Sequence, residues 1–198
     1  MAAVAKLRRD EFVGFFIGKG ALIMKYAAKA QTPLGKVLLA SDGSYLTGVW
    51  FAGQKYYAAG IGNDIIYNQH IPIFTQTVSW LQRYFSGENP KIDELLLAPA
   101  GSTFRQIVWR ILCDIPYGHV RTYGDIAAEV AAYNGIKTMS AQAIGGAVGH
   151  NPISIIIPCH RVVGAKGSLT GYAGGIEKKQ RLLAAEGVDV RTLSALVR

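Results

Sequence analysis

Between residues 24 and 100 the apolar positions come in short runs and alternations. Tyr26 to Ala30, Lys36 to Ala40 and Leu46 to Phe51 each read as a strand, separated by Pro33-Leu34-Gly35 and Ser41-Asp42-Gly43-Ser44, which are turn residues. Phe74 to Phe85 switches to helical spacing and stops at Gly87, and Lys91 to Leu97 predicts a further strand. Pro99-Ala100-Gly101 reads as a linker. Beyond it, Phe104, Ile107, Val108, Ile111, Leu112 and Ile115 fall on one helical stripe, with Thr103 and Gln106 as a capping box and Pro116 as the stop. Thr122-Tyr123-Gly124-Asp125 predicts another box, opening a short helix through Val130 that breaks at Tyr133-Asn134-Gly135. A third helix, Ser140 to Val148, is rich in small residues and ends at Gly149-His150-Asn151-Pro152. Two short helices around such a break resemble a helix-turn-helix, although the break is long for one. Ile153 to Ile157 predicts a buried strand, and Lys178 to Ala185 a last helix with Gly187 as its C-cap.

This pattern predicts two parts: a small N-terminal α/β domain over residues 24–98 and a mainly helical domain over residues 99–198. Residues 1–23 stand apart. Lys6, Arg8 and Arg9 precede the apolar Phe12 to Ile17, but Asp10 and Glu11 interrupt this imitation of a signal peptide and no cleavage site follows closely. We expect a disordered appendage, produced by translation that starts upstream of Met24. No run reaches the roughly 18 apolar residues of a transmembrane span.

Composition sharpens the picture in two respects. Half of the residues are hydrophobic and 17% are charged, which predicts a folded chain. The net charge is +8, and residues 101–198 carry eleven Lys/Arg against six Asp/Glu, where residues 1–100 carry ten against seven. The second part is the more basic, which fits a polyanionic partner such as nucleic acid, or simply a basic enzyme. Two cysteines make no disulfide framework. Cys113 lies in the apolar stripe and reads as core, whereas Cys159 stands beside His160 in Ile157-Pro158-Cys159-His160-Arg161-Val162. A thiol is a nucleophile as its thiolate, and a neighbouring base supplies it near neutral pH. Such a thiol needs a reducing compartment, so a cytoplasmic location is expected.

In an extended strand adjacent side chains point to opposite faces, so Cys159 and His160 cannot pair directly. Either the chain bends at Pro158 or a water relays the proton. A metal site built from His150, Cys159 and His160 is the other reading, but the spacing of a metal motif is missing. The small residues Ala141, Ala143, Gly145, Gly146 and Ala147 allow close approach, to another helix or to a nucleic-acid groove. Tyr123 sits in the first turn of its helix, where free backbone N–H groups attract phosphate. Gly171-Tyr172-Ala173-Gly174-Gly175 is a loop whose glycines suit a ligand or a plain turn. Glu186 ends a helix, where the dipole opposes a carboxylate, which predicts a partner for it or leaves it solvated.

Taken in order, Phe104-Arg105-Gln106-Ile107-Val108-Trp109, Ile115-Pro116-Tyr117-Gly118, Thr122-Tyr123-Gly124-Asp125-Ile126-Ala127, Ala143-Ile144-Gly145-Gly146-Ala147, Asn151-Pro152, the Cys159 motif and Gly171 to Gly175 resemble the O6-alkylguanine-DNA alkyltransferases, from about Tyr26 to Gly187. The resemblance implies an RNase H-like N-terminal domain with antiparallel strands and a helix-turn-helix, winged-helix-like C-terminal domain. It implies direct DNA repair: Cys159 accepts the alkyl group of O6-alkylguanine, and O4-methylthymine is a further candidate substrate. His160 would be the base acting through water, Glu186 its orienting acid, Asn151 the hinge and Tyr123 the residue that rotates the nucleotide and contacts guanine N3. Gln142, Ala141, Ala143 and Gly145 would meet the minor groove. Tyr172 would wall the base pocket, backbone groups near Val162 and Ala173 would read the guanine edge, and Arg161 and Phe104 complete the expected binding residues. The base must be flipped out, and the thioether product cannot be hydrolysed, so one turnover per molecule is expected. The implied partner is double-stranded DNA, with no membrane, no cofactor and a monomeric protein.

Two positions depart from the family pattern. Gln142 stands where members often carry an arginine that fills the gap left by the flipped base, and Ala173 stands where some have serine. Some members hold zinc in the N-terminal domain, but with no cysteine before Cys113 no zinc is expected here. A non-catalytic lesion-binding relative is the alternative, and the presence of Cys159 argues against it. A cysteine hydrolase would need an oxyanion motif that is not evident and would turn over repeatedly.

Overall fold

The structure, a computed structural model, describes residues 24–195; the predicted appendage of residues 1–23 lies outside them. β1 (Lys25–Thr32) and β2 (Gly35–Ser41) form an antiparallel hairpin. Thr32 closes its turn, its Oγ1 donating to the Gly35 carbonyl at 2.7 Å and accepting the Leu34 N–H at 3.1 Å. Gly35, at φ +109°, takes the backbone angle the turn requires. β3 (Leu46–Phe51) continues antiparallel on β2, and a three-residue strand, β4 (Ile65–Tyr67), adds parallel to β1. The sheet order is β3-β2-β1-β4. The short and partly exposed β4 carries too little pattern to be read from sequence. α1 (Pro72–Phe85) turns Ile73, Phe74, Thr77, Trp80, Leu81 and Tyr84 inward.

Lys91 to Leu97 is not a strand. The Glu94 carboxylate accepts the Lys91 N–H at 2.8 Å and closes a 3₁₀ turn over Ile92–Glu94, leaving a single bridge from Leu97 to Leu46. The local side-chain bond outcompetes the ladder.

In the second part, α2 (Thr103–Cys113) buries Ile107, Val108, Ile111 and Leu112 of the expected stripe, but its N-cap is Ser102, whose Oγ accepts the Arg105 N–H; the Thr103–Gln106 box does not form. α3 (Tyr123–Asn134) opens on the predicted Thr122–Asp125 capping box and runs four residues past Val130, to Gly135 at φ +67°. α4 (Ala141–Gly149) is capped by Ser140 and packs on α2 and α3. The fully buried Trp109 on α2 donates its Nε1–H to the Ala147 carbonyl of α4 at 2.9 Å. β5 (Arg121–Thr122) pairs in parallel with β6 (Val162–Val163), forming a small wing, and α5 (Ile176–Ala185) and α6 (Val190–Ala195) complete the chain.

Residues 153–157 are buried as predicted, yet they form a compact turn rather than a strand. The Ile157 N–H bonds back to the Ile153 carbonyl at 3.1 Å, and Ile155 takes φ +74°, a costly angle for a β-branched residue. Asn151 makes this possible. Its amide donates to the carbonyls of Ile153 and Ile157 at 3.3 and 2.8 Å, and its Oδ1 accepts the Ile153 N–H at 2.9 Å. One side chain thus satisfies backbone groups that a strand would have paired in a ladder.

The two parts share one core. Leu39, Phe51 and Phe74 belong to the same apolar cluster as Trp109, Ile153 and Ile157. Val49 of β3 donates to the Pro152 carbonyl at 2.8 Å and accepts the Ser154 N–H at 2.9 Å, so the sheet edge is stitched to the turn that leads to Cys159.

Candidate active site

Cys159, His160 and Arg161 form a 3₁₀ turn, and all three are buried. The bend at Pro158 is therefore real. No side-chain hydrogen bond joins Cys159 to His160; the Cys159 sulfur instead receives the Asn151 amide at 3.0 Å and the backbone N–H groups of Cys159 and His160. Burial pushes this thiol up, and the Asn151 bond and the positive charge of Lys179 pull the other way without overcoming it. The resting group is a thiol that needs a proton acceptor before it can attack.

His160 provides one. Its Nε2 lies 2.7 Å from Glu186 Oε1, and its Nδ1 is buried with no partner. Burial works to raise the Glu186 carboxyl, but the bonds and charges of His160 and Arg161 win and hold it at about 2. An ionised carboxylate only accepts, so Nε2 carries the proton and Nδ1 presents a bare lone pair. Burial lowers the His160 pKa, opposed by Glu186, so the ring is neutral near pH 7 and able to take a proton.

Glu186 is placed by the C-terminal turn of α5, as C-cap ahead of Gly187. Arg161 binds it twice, through Nε at 2.9 Å and Nη2 at 3.0 Å, and spends Nη1 on the Ile115 carbonyl. The Gly118 N–H adds a bond at 3.2 Å. A Cβ on Gly118, which sits at φ +75°, would come within 2.9 Å of the Glu186 carbonyl, so only glycine fits beside this carboxylate. Arg161 therefore faces inward and is not available to DNA, which corrects its expected place among the binding residues.

A cavity of about 640 Å³ opens along α4, lined by Tyr123, Ala141, Gln142, Gly145, Tyr172 and Ala173 among others. The charge that Cys159 would carry as a thiolate reaches both Tyr123 and Tyr172, so the buried sulfur lies near two of these walls without itself lining the cavity. Burial, with that charge, moves the Tyr123 hydroxyl up to about 12, so it stays a neutral donor, here bonded to the Gly171 carbonyl at 3.2 Å. The Tyr172 hydroxyl is buried and unpaired. Ala143 is exposed on the outer face of α4 but does not line the cavity. Phe104 packs half-buried against the core, away from it. Val162 is buried, its N–H bonded to the Cys159 carbonyl and its own carbonyl to Lys179. His150 is drawn off from Cys159 by stacking on Tyr56, with ring centroids 3.9 Å apart.

Residues 103–188 match the family model of the 6-O-methylguanine DNA methyltransferase DNA-binding domain, and residues 25–99 match that family's ribonuclease-like domain. The chain belongs to the 6-O-methylguanine DNA methyltransferase family. It is 42% identical over 156 residues to the methylated-DNA–protein-cysteine methyltransferase of Mycolicibacterium paratuberculosis, covering 79% of this chain and 88% of that one. With the Haemophilus influenzae enzyme of the same name it shares 39% over 164 residues, 82% and 87% of the two chains. Its structure resembles the crystal structure of Mycobacterium tuberculosis OGT in complex with DNA, with a TM-score of 0.70, 39% identity and coverage of 85% and 98%.

Three residues at this site carry no clear signal in the sequence pattern. The fully buried Lys179 points its ammonium at the carbonyls of Val162 and Thr170, tying the turn after Cys159 to the loop before Tyr172. Burial lowers its pKa to about 8. Tyr84 reaches Glu186 from α1. Lys55 donates its backbone N–H to the Ala173 carbonyl at 3.0 Å and lines the cavity with Tyr56. A lysine on the inward face of an otherwise amphipathic helix is the one signal that was there to find. Among the described residues, no three His, Cys, Asp or Glu side chains converge as a metal site, and no helix is long and apolar enough to cross a membrane.

Proposed function

We propose that this protein repairs alkylated DNA by moving the alkyl group from guanine O6 to the sulfur of Cys159, once per molecule. The observation that carries the reading is the chain of contacts at the buried thiol: Asn151 holds Cys159, and His160, its Nε2 fixed by Glu186, offers an unpaired Nδ1. The thiol proton passes through a water to Nδ1. The S–C bond forms as the C–O6 bond breaks, and the leaving guanine gathers negative charge that a donor at N3 stabilises. Tyr123, a neutral hydroxyl on the cavity wall, is suited to that donation.

The target base reaches the cavity by leaving the duplex, at a cost of a few kcal/mol. The geometry of α4 supports its insertion into the minor groove. Ile144, Ala147 and Val148 face the core, whereas Ala141, Gln142, Ala143 and Gly146 are exposed. A Cβ on Gly146 would meet nothing within 4 Å, and one on Gly145 would only touch the Tyr123 ring at 3.8 Å. Packing within the protein does not require these glycines, whereas a close partner outside it would. Gln142 lines the cavity and fills the space of the extruded base with an amide in place of a guanidinium.

The test is incubation with a duplex bearing one O6-methylguanine, followed by peptide mass spectrometry. One methyl on Cys159 is expected. Tight binding with Cys159 unmodified supports a lesion-binding protein, and catalytic turnover supports a hydrolase; either contradicts the proposal.

A further inference from the structure

The proton relay lies in the second part of the chain, but one of its groups comes from the first. Tyr84 sits on the last turn of α1, 102 residues from Glu186, and is buried. Its hydroxyl donates to Glu186 Oε1 at 2.7 Å, the same oxygen that faces His160, and lies 3.4 Å from His160 Nε2. We propose that Tyr84 is a positioning residue of the relay, which sets the proton affinity of His160 through the carboxylate oxygen they share. The inference rests on the reading of His160 as the base for Cys159.

Five donors converge on this carboxylate. Tyr84, His160 and Arg161 Nη2 use Oε1, while Arg161 Nε and the Gly118 N–H use Oε2. A carboxylate has about four lone-pair sites, so its charge is fully shared. Each donor draws off negative charge that would otherwise stabilise a protonated His160. Tyr84 never relinquishes its share: burial, together with the Glu186 charge, carries its hydroxyl pKa far above the usual range, so it remains a donor at every working pH. Its ring is held between Trp80, stacked at 5.5 Å, and the edges of Phe85 and Tyr117, at 5.2 and 6.1 Å.

The other groups facing His160 do not replace it. Glu186 and Lys179 come from α5, and Arg161 from the same turn as the ring. From α2 comes the neutral Cys113 thiol, which senses Arg161, and Tyr117 lies under the Arg161 guanidinium at 5.7 Å. On α1 itself, Arg83 is occupied by Glu94 at the surface. The hydroxyl oxygen of Tyr84 could also favour the imidazolium directly, but at 3.4 Å that contact is weak beside the 2.7 Å bond to Glu186. Removing the hydroxyl should thus return charge to Oε1 and raise the proton affinity of His160. Through this bond the packing of the N-terminal domain reaches the chemistry of the other.

The experiment compares the full chain with Tyr84→Phe, which keeps the ring and loses only the hydroxyl. Imidazole ¹⁵N shifts of His160 are followed against pH without DNA, and single-turnover methyl transfer is followed against pH with it. The His160 midpoint should move up by about half to one pH unit. Transfer at pH 6 should slow by about 1.5- to 5-fold, a loss that shrinks as the pH rises. Both effects should vanish in a Glu186→Gln background, since Tyr84 acts through that carboxylate. If Tyr84→Phe does not fold, a fluorinated tyrosine at position 84, a stronger donor, should move the midpoint down. An unchanged His160 titration, or a rate lowered equally at every pH, overturns the proposal. The ¹⁵N titration decides it even if Cys159 of the unaltered chain accepts no methyl, which would instead overturn the function proposed above.

Discussion

The carboxamide of Asn151 donates to the thiol of Cys159 across 3.0 Å while its remaining bonds fold the turn that carries this thiol. The residue that shapes the backbone is also the one that touches the nucleophile. Asn151→Ala should therefore fail in two ways at once. Stripping four partners from a buried amide should cost about 2–4 kcal/mol in urea unfolding. The transfer rate of the folded fraction should also fall by about tenfold or more, because the thiolate loses a donor. A loss of stability with an unchanged rate would separate the two roles.

Asn151 also explains why Ile153 to Ile157 misled the sequence reading. An apolar, β-branched run between turn residues has the composition of a buried strand, and composition reports burial correctly. It cannot report that a side chain two residues upstream will take over the backbone bonds and turn the run on itself. The N-terminal hairpin and α1 were legible because alternation and helical spacing are local properties. The Cys159-His160 pair and the isolated Glu186 were legible as chemistry in want of partners. Which partners they found was not: Tyr84 and Glu186 lie 102 residues apart, and only the docking of the two parts joins them. Arg161, which the resemblance places among the binding residues, instead turns inward onto Glu186, a carboxylate 25 residues away that the local sequence does not reveal as its partner.

Acid stability should follow from the same network. Glu186 is held at about 2 in the folded protein against an ordinary 4.5, so its stabilisation is present above 4.5 and is lost as the pH falls toward 2. His160, lowered by burial from 6.5, is neutral when folded and takes a proton on unfolding, so stability falls as the pH drops through 6.5. Urea midpoints between pH 3 and pH 8 should decline toward acid. Glu186→Gln should flatten the lower part of that decline while lowering stability at neutral pH by about 3–5 kcal/mol, since it leaves a buried arginine unpaired.

The role of α4 can be separated from its stability. Gly146 has open space where a Cβ would stand, so Gly146→Ala should leave the fold intact and strengthen the helix by up to about 1 kcal/mol. If the helix backbone presses into the minor groove, the same methyl should weaken duplex binding measurably. Thermal melts and fluorescence anisotropy with a labelled duplex read the two effects; unchanged affinity would take the helix out of the groove.

Gln142 lines the cavity at the start of α4. Gln142→Arg adds charge and a planar fork, which should raise duplex affinity and transfer rate by a few-fold to about tenfold. Stopped-flow transfer at fixed salt, together with the salt dependence of binding, measures both. No change in either would mean that base extrusion here does not depend on this position.

We propose that Cys159 is a buried, single-use alkyl acceptor. It is tested most directly by titrating the protein with a duplex whose O6-methylguanine carries a labelled methyl, and counting label on the Cys159 peptide at long times. A plateau of about one methyl per active molecule is expected, all of it on Cys159, and none when Cys159 is replaced by alanine. Label that keeps accumulating beyond that plateau, or that appears elsewhere while Cys159 remains free, would contradict it.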